Sequence, residues 1–176
     1  MVRNAPYPSA LAPQRGMTTI ELLVVIALIG LLTALSVASY RYVIDRNRVA
    51  SEVNGLLGDM QLARAEAIKQ GLTVKACVST NGATCTGQTT WQSGWIVIDS
   101  SSNVLRVQPP FTNSDTFVAN NNLSSVSFNR EGFALGLVAG TQVTLKNSAG
   151  LQSATRCLQL TTVGLMSVAT YGGSCT

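Results

Sequence analysis

The sequence predicts an α+β fold: a long N-terminal helix, membrane-spanning in its first part and amphipathic in its second, packed on an antiparallel β-sheet or two-sheet domain. Three observations carry that prediction. Residues 22–40 contain no charge. Over residues 49–67 apolar side chains recur at helical spacing. After Gly71 the pattern changes to alternation with a period of two, which is the signature of half-buried strands.

Residues 1–16, "MVRNAPYPSALAPQRG", hold three of the five prolines and two arginines without periodicity, as expected of a leader rather than a folded element. Residues 17–40 form the membrane segment. As a helix, the uncharged run 22–40 is about 28 Å long, close to the hydrocarbon thickness of a bilayer. One carboxylate, Glu21, stands at its front. A carboxylate entering hydrocarbon costs about 2.5–3.5 kcal/mol unless something neutralises it, so its presence calls for a reason.

Residues 41–70 read as an amphipathic continuation. Val49, Val53, Leu56, Met60, Ala63 and Ala67 form one apolar stripe, while Arg46, Glu52, Asp59, Arg64 and Glu66 mostly fall off it. Gly71 follows as a stop signal. With no proline from Met17 to Gln70, the two segments can form one helix of about 80 Å. The stripe is short for a coiled coil and ends in small residues, which favours packing on the chain's own sheet over a coiled-coil seam.

Residues 71–176 form the β domain. "LTVKACVS", "GWIVIDS", "NVLRVQ", "SVSFNR", "FALGLV", "TQVTLKN", "RCLQLTT" and "GLMSVAT" are strand candidates. "NGATCTGQ", "PPFTNSD" and "ANNNLSS" are the turn-rich pieces between them. Short strands without intervening helices imply antiparallel pairing.

Composition narrows the function classes. Only 11% of residues are charged, histidine is absent, and the net charge is +4. Removing Arg3 and Arg15 of the leader leaves +2, too little to imply a nucleic-acid partner by itself. The β domain has only Asp99, Asp115 and Glu131 as carboxylates, so no acid–base pair or nucleophile constellation is visible and no catalytic residue or cofactor is expected.

The four cysteines, Cys77, Cys85, Cys157 and Cys175, all lie beyond the apolar run. An even number in that position reads as disulfides in an extracytoplasmic compartment. Nearest-neighbour pairing joins Cys77–Cys85 and Cys157–Cys175, one of three possible connectivities. Zinc, the rival reading, lacks its usual short ligand spacings, and no metal ligand set is expected. Charge counting does not orient the segment: Arg3 and Arg15 precede it, but Arg41, Arg46 and Arg48 follow it.

The stretch "RGMTTIELLVVIALIGLLTALSVASY" resembles the N-terminus of type IV pilins and type II secretion pseudopilins: a basic leader ending in Gly16, Glu21 five residues into the mature chain, and about twenty apolar residues. Met17 replaces the commoner phenylalanine. Further along, "LARAEAI", Trp91–x–x–Gly94–Trp95 and Phe128–Asn129–x–x–Gly132 resemble the GspH/FimT family of minor pilins and pseudopilins. The resemblance is close over residues 10–135 and looser beyond them.

It implies a pilin-like fold and an inner-membrane protein with a single pass and a periplasmic β domain. It also implies cleavage between Gly16 and Met17 by a prepilin peptidase and N-methylation of Met17. Glu21 would pair with a neighbouring subunit's amino terminus. The implied partners are other minor pilins or pseudopilins, the major pilin and the inner-membrane assembly platform. The Trp91–Trp95 segment, the "TNGATC" loop and the "GLMSVATYGGSC" end resemble pilus-type members more than secretion-type ones.

Some members bind DNA through a Gly–Arg–x–Arg stretch. The matching place is "VGLMS", where Leu165 and Ser167 replace the arginines and only the scattered Arg130, Lys146 and Arg156 remain. DNA is therefore not an expected partner. The two tryptophans are expected in the core rather than at a ligand site. The rival from another class is a soluble secreted β domain released by ordinary signal cleavage after Ala38.

Overall fold

The computed structural model describes residues 16–172 and 175, apart from the side chains of residues 35–39. Of the expected leader, only Gly16 lies within the described residues, and the alternative cleavage point at Ala38 lies outside the described side chains. The chain divides into two compact units, Met1–Arg41 and Tyr42–Thr176. Helix α1 (Thr19–Gln70) supplies residues to both.

In the first unit the large apolar side chains of α1 are exposed, from Ile20 through Leu32. Thr33 turns its hydroxyl back onto the carbonyls of Ile29 and Gly30, at 2.9 and 3.0 Å, so that its one polar group is satisfied within the helix. Among the described residues, no helix is long and apolar enough to cross a membrane. The run expected to do so has described side chains at 22–34 and at Tyr40.

In the second unit, α1 ends before Gly71, whose φ of +67° is the left-handed conformation that closes helices. Nine strands follow among the described residues: β1 (Val74–Val78), β2 (Trp95–Ile98), β3 (Val104–Gln108), β4 (Thr116–Ala119), β5 (Ser125–Phe128), β6 (Ala134–Leu135), β7 (Thr141–Lys146), β8 (Arg156–Leu160) and β9 (Met166–Thr170). They form two antiparallel sheets, β3-β2-β1-β5-β6 and β4-β7-β8-β9.

All six stripe residues, Val49, Val53, Leu56, Met60, Ala63 and Ala67, are fully buried. They join one core with Val74, Ala76, Val78 and Phe128 of the first sheet and Phe117, Val143, Leu145 and Leu158 of the second. The stripe therefore packs on its own β domain. Each large side chain buried there contributes roughly 1.5–3 kcal/mol, which explains why the helix face and the strand alternation agree.

The opposite face of the first sheet is covered only in part. Register places Cys77, Ile96 and Val107 side by side, and Cys77 and Ile96 are buried. The loop closed by the Cys77–Cys85 disulfide brings Gly82 against Val107.

Two strand expectations are corrected. "TFVA" forms β4, hidden in the sequence between two turn-rich pieces because only two of its residues, Phe117 and Ala119, face the core. "FALGLV" supplies only the two-residue β6, because Gly136 takes a φ of +71° and breaks the extended run.

Candidate assembly site

The first candidate residues lie in the N-terminal unit. Gly16 and Met17 are exposed and precede α1, with Met17 66% exposed. Thr18 caps the helix: its hydroxyl accepts the backbone N–H of Glu21 at 3.2 Å, and its carbonyl accepts that of Leu22 at 3.1 Å. "TTIE" thus has capping-box spacing, a local signal that the sequence reading passed over. The reciprocal half, in which the glutamate side chain reaches back to the cap, is not formed among the described residues. The exposed Glu21 carboxylate also has no ion-pair partner there. Capping accounts for Thr18 and leaves the carboxylate of Glu21 available.

The motif residues of the second unit do structural work. Trp91 is buried and donates its indole N–H to the carbonyl of Leu123 at 2.9 Å. Trp95 donates to Oδ2 of Asp59 at 2.9 Å and packs edge-on against Phe111 and Phe117, with centroids 5.9 and 6.1 Å away. Between them, Gly94 leaves no room for a side chain, because a Cβ would come within 2.7 Å of the Gln108 carbonyl. Asp59 itself is a correction: it was expected off the buried stripe, yet it is 7% exposed and held between Trp95 and Arg106. An aromatic N–H opposite it in the fold is invisible to helical spacing.

In the Phe128–Asn129–x–x–Gly132 segment, Phe128 is core and the Asn129 side chain accepts the backbone N–H groups of Glu131 and Phe133. The turn presents the Gly132 carbonyl to Nε of Arg64 at 2.9 Å. Gly164 closes on the same place: a Cβ there would collide with the Gly132 carbonyl and press on Arg64. Arg64, the arginine of "LARAEAI", thus joins the helix to two glycine turns.

About half of the charged groups among the described residues are in ion pairs. Arg48 donates from Nε and Nη2 to the two oxygens of Asp115, at 2.8 and 3.1 Å, and the hydrogen bond with Asp115 raises its pKa. Asp115 also accepts the backbone N–H of Ser148. Glu52 accepts from Asn113 through one oxygen, while its other oxygen is buried without a partner. Burial pushes the Glu52 carboxyl above its ordinary range. Asp99 is held below the usual range by Asn103, and Glu131 by Arg130.

No group of residues suited to hold a metal occurs among the described residues. The structure forms the disulfides Cys77–Cys85 and Cys157–Cys175, each with Cα atoms 5.6 Å apart. Leu165 and Ser167 are exposed. Arg130, Lys146 and Arg156 fall on three different elements: the turn after β5, the end of β7 and the start of β8. Of these, Arg130 is paired with Glu131.

Comparisons with known proteins agree with this geometry. The fold is similar to that of the type IV minor pilin FimU from Pseudomonas aeruginosa strain PAO1, known in two crystal forms. One matches with 17% identity over 73% of this chain and 92% of that chain, at a TM-score of 0.58. The other matches with 19% identity over 72% and 94%, at a TM-score of 0.52. Residues 52–164 match the family described as type II transport protein GspH. Since that match spans well over half of the sequence, the chain belongs to the GspH family.

Proposed function

We propose that the chain is a minor pilin that enters a filament through its N-terminal helix. The observation that carries this reading is the Glu21 carboxylate, unpartnered among the described residues at the front of a helix segment whose apolar side chains are exposed. Such a segment needs an apolar surrounding, first the inner membrane and then the helices of neighbouring subunits. Cleavage between Gly16 and Met17 gives Met17 an amino-terminal cation, N-methylated by the same peptidase. Glu21 pairs with the corresponding cation of a neighbour, and the pairing offsets the desolvation of both groups.

In this reading the β domain is periplasmic and determines which subunits are neighbours. Its partners are other minor pilins, the major pilin and the assembly platform. Two homes share these features, a type IV pilus and a type II secretion pseudopilus. The Trp91–Trp95 segment and the disulfide-closed "TNGATC" loop favour the pilus, and FimU, of similar fold, is a type IV minor pilin.

Replacing Glu21 with Ala tests the assembly role. The variant is expected to insert in the membrane as well as the natural protein but to be missing from sheared filaments. Normal incorporation would remove the pairing role. Deleting the protein is expected to reduce surface pili more than enzyme secretion, and the reverse result would move it to the secretion machine.

A further inference from the structure

A cleft lies at the start of the second unit, away from Glu21 in the sequence. It has a volume of about 320 Å³ and is lined by Val43, Arg46, Asn47, Ala50 and Arg156. Arg48, Lys69, Arg106 and Arg130 each have a carboxylate within 4.0 Å, and Arg64 is held by the Gly132 carbonyl. Arg46 and Arg156 have no ion-pair partner among the described residues. Asp45, the nearest carboxylate in sequence, is turned to Arg48 at 3.1 Å.

Both guanidinium groups are nevertheless held in place. Arg46 lies over the Tyr42 ring at 5.6 Å. The Tyr42 hydroxyl donates to Oγ of Ser153 at 3.3 Å. Nη1 of Arg156 donates to the carbonyls of Ser153 and Thr155, at 3.0 and 2.9 Å, and its other N–H groups have no hydrogen bond among the described residues. The phenol of Tyr42 registers the field: its bond with Ser153, and then the charges of Arg46 and Arg156, hold its pKa below the ordinary value. Two fixed guanidinium groups with the Asn47 amide on the same cleft provide the forked donors that suit phosphate oxygens.

We propose that this cleft binds the phosphate of an anionic phospholipid headgroup on the outer side of the inner membrane. The inference rests on the reading that residues 17–40 are embedded in that membrane. Arg46 comes six positions after Tyr40, where the apolar run ends. Tyr40 and Tyr42 are exposed there, 68% and 38%, in the manner of the aromatic side chains that mark a membrane interface. Headgroup binding also gives a role to an arginine that follows the apolar run, where charge counting by itself does not orient the segment.

The test uses the full mature chain in nanodiscs of equimolar phosphatidylglycerol and phosphatidylcholine, with the lipids retained after extraction counted by native mass spectrometry. Each arginine near an anionic surface is expected to contribute about a fivefold preference, so phosphatidylglycerol should be retained on the order of 25-fold over phosphatidylcholine. Arg46→Gln and Arg156→Gln should each reduce that ratio about fivefold, while Arg130→Gln leaves it unchanged. Equal retention of the two lipids by a chain that has inserted would overturn this inference alone. Inorganic phosphate or a short DNA duplex that binds with the same arginine dependence, and displaces the lipid, would overturn the lipid assignment. A chain that does not insert in the discs at all overturns the anchoring reading and this inference with it.

Discussion

The indole N–H of Trp95 donates to the carboxylate of Asp59 at 2.9 Å, and Asp59 is buried, 7% exposed. This bond fastens α1 to β2, the strand that begins at the second tryptophan of the Trp–x–x–Gly–Trp segment, and Arg106 on β3 supplies the countercharge at 3.3 Å. Asp59→Ala leaves the indole N–H and Arg106 without their partner. It is expected to lower unfolding free energy by about 2–3 kcal/mol in urea titration. Asp59→Asn, which can keep the acceptor, should cost roughly half as much, and equal losses would show that the bond itself contributes little.

The close approach of Gly164 to Gly132 makes a second, sharper prediction. Gly164→Ala adds a Cβ that meets the Gly132 carbonyl, at a φ of +76° that side chains rarely adopt. A loss of about 2–4 kcal/mol is expected from the collision and the backbone strain together. Arg64→Met, which keeps most of the stem but not the hydrogen bond, should lose about 1 kcal/mol. If Gly164→Ala unfolds at the same urea concentration as the natural protein, the two turns do not hold the helix as described.

Glu52 governs a pH dependence of unusual sign. Its carboxyl is pushed up mainly by burial, and also by the charge of Asp115, against the opposing effects of Asn113 and Arg48. The folded state therefore binds this proton more tightly than the unfolded state, whose carboxyl stays near 4.5. The contribution is fully present below that value and is lost as pH rises through the folded pKa. Asp99, Glu66 and Glu131, held low by their partners, run the other way, so the informative quantity is a difference. Glu52→Gln is expected to be more stable than the natural protein at pH 7, by roughly 0.5–1 kcal/mol after allowing for partial exposure, and about equal at pH 4. A variant less stable at both values would contradict the burial argument.

The Cys157–Cys175 bond closes a sequence separation of 18 and ties the C-terminal end to β8. Reducing it should lower stability by about 3 kcal/mol, chiefly by freeing the unfolded chain. Peptide mapping without reductant checks the connectivity: Cys77 is expected with Cys85 and Cys157 with Cys175, and a Cys77–Cys157 peptide would contradict it.

Much of the fold could be read from the chain because it rests on periodicity. The stripe from Val49 to Ala67 is buried along its whole length, and Gly71 ends the helix. Both tryptophans lie in the core, where their size and single polar group suggested. The failures have a common cause. β4 has four residues between turn-rich pieces, too few to display a period. Asp59 and Arg64 sit on a helix as ordinary charges, and their partners, Trp95 and Gly132, are 36 and 68 residues away. No local pattern encodes such pairings. Thr18 differs, since Thr–x–x–Glu at a helix start is a local signal.

The most direct test of the central claim is the N-terminal mass of the mature protein isolated from membranes. The assembly account predicts a chain that begins at Met17 with a methylated amino terminus, because only that cut leaves a cation beside Glu21 and keeps the apolar segment attached. A mature chain beginning at Ser39, with the segment removed, would contradict the account and make the β domain a soluble secreted protein.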